Sequence, residues 1–101
     1  MKPVELYYIQ NNYVGNAICW WREEGKGYTT NINEAGKYPE LEAKRQASMR
    51  PGEDIAWPCD YIDSNEKAHK TIIDGQYLNF KQAYIRKRRP YLTHKTNLTE
   101  R

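Results

Sequence analysis

The sequence predicts an α+β fold: a small antiparallel sheet of three to four strands with two to three helices, mainly on one face. Three observations carry that prediction. Short runs rich in Tyr, Ile and Trp are separated by turn residues at Asn11-Asn12, Gly15-Asn16 and Gly25-Lys26-Gly27. The stretch from Glu40 to Met49 has helix-forming composition behind a proline. Trp20 and Trp21 are adjacent within a predicted strand, where neighbours point to opposite faces.

The first strand is expected from Val4 to Gln10, closed by Asn11-Asn12. A second runs from about Ala17 to Arg22 and a third from Tyr28 to Ile32. The five residues between the last two, Glu23 to Gly27, make a hairpin loop with two glycines free to adopt positive φ. After a turn at Asn33–Lys37, Pro39 sits as the first residue of a helix over Glu40–Met49. Glu40 and Glu42 at its start and Lys44, Arg45 and Arg50 towards its end match the helix dipole. Its apolar residues Leu41, Ala43, Ala47 and Met49 suit contact with a sheet rather than full burial.

Pro51-Gly52 ends that helix, and IAWPCDYI reads as an edge strand. There Ile55, Trp57, Cys59 and Tyr61 alternate onto one face. Asp63 and Glu66 form a helix-start pattern for a short helix through about Lys70. TIIDGQYLNF can be a hairpin or a loop entering a helix through QYLNFKQAYIRKRR, and the helix is preferred. Residues 1–89 are therefore read as one compact domain, and 90–101 as a flexible basic tail.

Hydrophobic residues make up 39% of the chain, so the core is economical. Nine Tyr and three Trp against one Phe give most of the aromatic surface a polar tip, suited to core edges and interfaces. No segment approaches a membrane span, and the start MKPVELYYIQ lacks the apolar run of a signal peptide. Cys19 and Cys59 form neither a disulfide framework nor a zinc site, which predicts a reducing, cytoplasmic setting.

Little in the sequence suggests catalysis. A phosphate cradle places its glycines between a strand and a helix, whereas Gly25-Lys26-Gly27 lies between two strands. His69 and His94 have no metal-ligand spacing, and Glu23-Glu24 reads as a solvated loop pair. No enzyme activity, metal or cofactor is expected. Charge is more informative. Residues 1–80 hold nine Lys/Arg and twelve Asp/Glu, a net of −3, whereas 81–101 hold seven Lys/Arg and one Glu, a net of +6. Arg86, Lys87, Arg88 and Arg89, flanked by Tyr84 and Tyr91, could hold a phosphate backbone and stack on an exposed base, or could be a solvated run.

On the second strand Ile18 and Trp20 share one face, and Ala17, Cys19 and Trp21 the other. Trp20 is assigned to the core. Trp21 then lies beneath a loop, under the C-terminal segment, or in the open as an anchor for a partner, with Tyr28 and Lys26 beside it.

The series GNAICWWREEGKGYTTNINEAGKYPELEA followed by IAWPCDYID resembles small accessory proteins of tailed bacteriophages and prophages. They carry Trp-Trp, Gly-x-Gly-Tyr-Thr, Ala-Gly-x-Tyr, Glu-Ala and Trp-Pro in the same order. The likeness covers about residues 7–63 and leaves the basic segment from Lys81 outside it. That group has no established activity, so no site residue is carried over. The resemblance implies a phage or prophage setting, where small single-domain accessory proteins commonly bind and inhibit host machinery, including antiviral defence complexes, as anti-CRISPR proteins do. With no catalytic motif in the sequence, the preferred reading is a non-enzymatic protein that binds a host protein or protein–nucleic acid complex. Two alternatives remain: a small nucleic-acid-binding protein acting through its basic C-terminal segment, and a structural or regulatory phage component.

Overall fold

A computed structural model describes residues 5–65 and 71–86, and the chain is α+β. Five strands form one antiparallel sheet: β1 (Leu6–Val14), β2 (Ala17–Trp21), β3 (Tyr28–Thr29), β4 (Tyr38–Pro39) and β5 (Asp54–Pro58). Two α-helices accompany it, α1 (Glu40–Met49) and α2 (Cys59–Asp63).

β1 is the hub. Along one edge it pairs with β5, from Tyr7↔Pro58 to Asn11↔Asp54. Along the other it pairs with β2 through Gln10↔Trp20 and Val14↔Ala17, and past the end of β2 with β4 through Tyr7↔Tyr38. β3 extends the sheet from β2, with Trp21 opposite Tyr28. Asn11-Asn12 does not end β1, as the sequence suggested. The register shifts between Gln10 and Tyr13, and Asn12 takes φ +62°. The pair is thus a β-bulge, which asparagine tolerates because its short polar side chain accommodates the left-handed conformation.

Alternation along β1 builds two cores. Tyr8 joins Ile18, Trp20, Ile55 and Trp57 on one face, with Cys59 and Ile62 of α2 and with Ile73 and Leu78 of the later chain. Tyr7 and Ile9 join Ala56 on the other face, beneath Ala43 and Ala47 of α1. Helix α1 keeps its expected bounds but not its expected apolar face. Only Ala43 and Ala47 are buried, one turn apart, while Leu41 and Met49 are 72% and 63% exposed. The burial of two alanines lets the helix lie close on the sheet.

The β2–β3 hairpin forms as expected, with Gly25 at φ +67° and Gly27 at φ +90°. Strand β3 is shorter than expected, because residues 32–34 form a 3₁₀ turn.

Three later expectations are corrected. The strand through IAWPCDYI stops at Pro58, which begins α2. Proline cannot donate to a ladder but can open a helix. The intended face survives this change: Trp57 stacks on Tyr61 at 5.8 Å, and Cys59 enters the same core. Asp63 ends α2 instead of capping a new helix, and the remainder of that expected helix, 66–70, lies outside the described residues. Finally, residues 75–86 are not a continuous helix. Asp74 and Asn79 each accept a hydrogen bond from the backbone two residues on, holding single 3₁₀ turns at Gly75–Tyr77 and Phe80–Gln82. The chain then pairs with β5 through Ala56↔Tyr84. The tail expected over 90–101 lies outside the described residues.

Candidate functional site: an aromatic cleft beside helix α1

Trp20 is completely buried, as assigned, with its ring tilted against Tyr8 at 5.4 Å. Trp21 faces the opposite way and is half-buried against α1. It walls a cleft of about 230 Å³ with Tyr38, Glu42, Arg45, Gln46 and Met49, over Ile9. Of the three covers considered for Trp21, the hairpin loop is partly realised, since a Cβ on Gly25 would stand 3.5 Å from its ring. Tyr28 meets Trp21 edge-on at 5.5 Å and is 45% exposed.

A buried polar network stiffens this wall. Asp54 is fully buried at the start of β5. One carboxylate oxygen accepts from Asn11 Nδ2 at 2.6 Å and faces Trp21 Nε1 at 3.5 Å. The other accepts from Gln46 Nε2 at 2.8 Å and lies 3.8 Å from Arg50. With both oxygens engaged, Asp54 acts as a fixed acceptor tying β1, β2 and α1 together. Arg50 continues the chain outward by donating to Glu53 at 3.2 Å, and its pKa is raised by the neighbouring Tyr28 hydroxyl and Glu53. On the far side, the Tyr38 hydroxyl donates to the Arg22 carbonyl and accepts from Gly25 N, which pins the hairpin loop to β4.

The structure brings together two of the three residues expected at a partner surface. Lys26 is separate: it pairs with Glu24 at 3.1 Å and lines a different notch with Arg22 and Glu34. Sequence reasoning missed Asn11, Gln46, Arg50 and Asp54. The one available signal was that Asp54 alternates with Ala56 on the face opposite Ile55 and Trp57.

Of the basic run only Arg86 is described, and Lys87, Arg88 and Arg89 lie outside the described residues. Tyr84, which flanks that run, is engaged by the fold. It exchanges backbone hydrogen bonds with Ala56 at 2.8 and 3.0 Å, and its hydroxyl lies 3.1 Å from Ser48 Oγ. Hydrogen bonds from Ser48 and Arg86 hold that hydroxyl below its ordinary pKa. Lys44 Nζ sits 5.4 Å from the Tyr84 ring and 5.7 Å from the Tyr7 ring, and donates to Glu40 at 2.5 Å.

Among the described residues, no group of three or more His, Cys, Asp or Glu could hold a metal ion, and no helix is long and apolar enough to cross a membrane. Compared with known proteins, the chain matches no family model, no curated protein and no solved structure.

Proposed function

We propose that this chain is a non-enzymatic, phage-type accessory protein that docks on a host macromolecule through the cleft walled by Trp21, with Tyr28 against the Trp21 ring, and inhibits a host defence system from the host cytoplasm. The observation that supports docking is a half-buried Trp that faces Asp54 beside an open cleft, with a half-exposed Tyr edge-on against its ring. Trp, Tyr and Arg dominate interface energetics, and anchors that are already rigid lose less entropy on binding. The cleft, at about 230 Å³, falls below the roughly 300–1,000 Å³ of small-molecule sites. It suits one large side chain of a partner better than a cofactor. The inhibitory role rests on the motif series shared with phage accessory proteins.

Capture from bacterial lysate tests the reading, with wild type, Trp21→Ala and Tyr28→Ala as baits and with nuclease-treated and untreated lysate. A specific host protein should be retained after nuclease treatment and lost with either variant. Binding through the cleft should weaken by about 2 kcal/mol or more on loss of Trp21. Retention unaffected by both substitutions would move the docking surface elsewhere.

A further inference from the structure

We infer that the cleft walled by Trp21 receives an arginine side chain from a basic segment of the partner, stacked on the aromatic wall and held by Glu42 and Gln46 of α1. The inference rests on this cleft being the docking surface, and it names what enters it.

The donors on the cleft walls are spent inside the fold, with one exception. Trp21 Nε1 faces Asp54 at 3.5 Å, Gln46 Nε2 donates to Asp54 at 2.8 Å, and the Tyr38 hydroxyl donates to the Arg22 carbonyl. A carboxylate only accepts, so Asp54 also decides which end of the Gln46 amide turns inward. The amide oxygen is left over. Among the described residues, neither that oxygen nor the Glu42 carboxylate has a hydrogen-bond or ion-pair partner. The walls therefore offer acceptors and ring faces, which suit a cation that carries donors.

The spacing selects arginine among cations. Glu42 and Gln46 stand one turn apart on one face of α1, so two arms of a planar fork can reach both. A guanidinium presents that fork and an ammonium does not. Trp attracts a cation more strongly than any other ring, and Tyr38 adds a second ring to the wall. Ile9 and Met49 give the methylenes of the arm an apolar bed.

Charge nearby points the same way. A second notch shares Tyr38 and Glu42 with the cleft and is lined by Glu23, Glu24 and Lys37 as well. Glu24 is offset by Lys26 at 3.1 Å, whereas the Glu23 carboxylate has no partner among the described residues. Residues 1–80, with nine Lys/Arg against twelve Asp/Glu, carry a net of −3. Arg45 is the exception among the donors, an exposed cation at the rim of the cleft. Its charge opposes the occupant, which gives the test a variant expected to gain affinity.

Titration of the isotope-labelled full chain with capped peptides tests this by NMR. Each peptide carries Arg, Lys, citrulline, Phe or Glu between glycines, and the Trp21 indole N–H signal reports the cleft. The Arg peptide should bind with a dissociation constant on the order of millimolar, as one side chain allows. It should bind about fivefold or more tighter than citrulline, which keeps the shape and loses the charge. Glu42→Gln should weaken it about fivefold and Arg45→Ala should strengthen it about twofold. Both positions are exposed, so melting curves should barely move. The inference is overturned if Lys, citrulline or Phe binds as tightly as Arg, a result that leaves docking through Trp21 standing. Tightest binding of the Glu peptide, indifference to Glu42→Gln, or no shift with any peptide up to about 20 mM would overturn it too. Docking itself fails by a different result, lysate capture that is indifferent to Trp21→Ala.

Discussion

Trp20 and Trp21 are neighbours in sequence, yet they stand on faces of the sheet that are finished differently. Beneath Trp20 the face is closed by α2 and by the chain from Ile73 to Leu78, with apolar contacts almost throughout. Gln10 is one polar exception, accepting from Trp57 Nε1 at 2.7 Å, and Thr29, opposite Trp20, is another, donating to Glu34 at 2.8 Å. Trp20 Nε1 has no hydrogen-bond partner among the described residues, a cost that its packing must outweigh. Beneath Trp21 the face is covered by a helix that buries only two alanines, so it remains open along one flank. There the order comes from polar groups, with Asp54 at the centre. One face supplies stability through volume. The other trades packed volume for a shaped, accessible surface.

The sharpest way to break this comparison is to truncate each tryptophan. Trp20→Ala should cost about 3–5 kcal/mol, enough to unfold a marginal domain. Trp21→Ala should cost roughly 1–2 kcal/mol, because the ring is only half-buried and its indole faces Asp54 at the long distance of 3.5 Å. Denaturant melts of the two variants measure the difference. Equal, large losses would mean that Trp21 is a packing residue, and the anchor reading would fall.

A smaller effect is expected where the hairpin loop closes the cleft. Gly36 passes so near the hairpin that a Cβ there would stand 2.8 Å from the backbone of Glu23. Gly36 N also donates to the Trp21 carbonyl at 2.8 Å. Backbone cannot swing aside as a side chain can, so Gly36→Ala should cost about 1–3 kcal/mol and loosen the Trp21 wall. Gly27 differs, since nothing lies within 4 Å of its Cβ position and only its φ of +90° is at stake. Gly27→Ala should cost roughly 1 kcal/mol through backbone conformation alone. Thermal melts that reverse this order would show that the loop yields more readily than its contacts imply.

The elements legible in the sequence are those whose signals are local. The Gly25–Gly27 hairpin and the Pro39-led helix were readable because turn and start residues fix them in place. The failures came from patterns that two structures share. Ile55, Trp57, Cys59 and Tyr61 alternate like a strand, but a helical turn after Pro58 returns Cys59 and Tyr61 to the same core. Tyr77, Phe80 and Tyr84 are spaced like a helix face, yet they part company in space. Tyr77 is 54% exposed, Phe80 meets Trp57 edge-on at 5.0 Å, and Tyr84 crosses to the α1 side. Asp74 and Asn79 decide this by capping single turns, a local competition that hydrophobic spacing does not register. In the cleft, the aromatic pair was legible from strand alternation. The Asp54 network was not, because Asn11 and Trp21 are 43 and 33 positions from Asp54 and meet it only through strand pairing.

The smallest expected effect separates the two faces by their cysteines. Cys59 is buried in the closed core, and Cys19 on β2 is only partly covered. Burial, with the Asp63 carboxylate adding to it, pushes the Cys59 thiol up to about 12. The thiolate is the reactive form, so Cys59 should resist alkylation at pH 8 while Cys19 is modified first. The same shift has a pH consequence. Between the ordinary thiol value near 9 and about 12, the unfolded chain has lost this proton and the folded chain keeps it. Fewer protons on the unfolded state mean that stability falls as pH rises through this window. Tyr8, raised by burial and by its hydrogen bond to Asp63, works in the same direction at still higher pH. Cys59→Ala should therefore flatten the decline in melting temperature above pH 9. If the two cysteines are alkylated at equal rates in the folded protein, then the Trp20 face opens as readily as the Trp21 face, and the contrast between them does not hold.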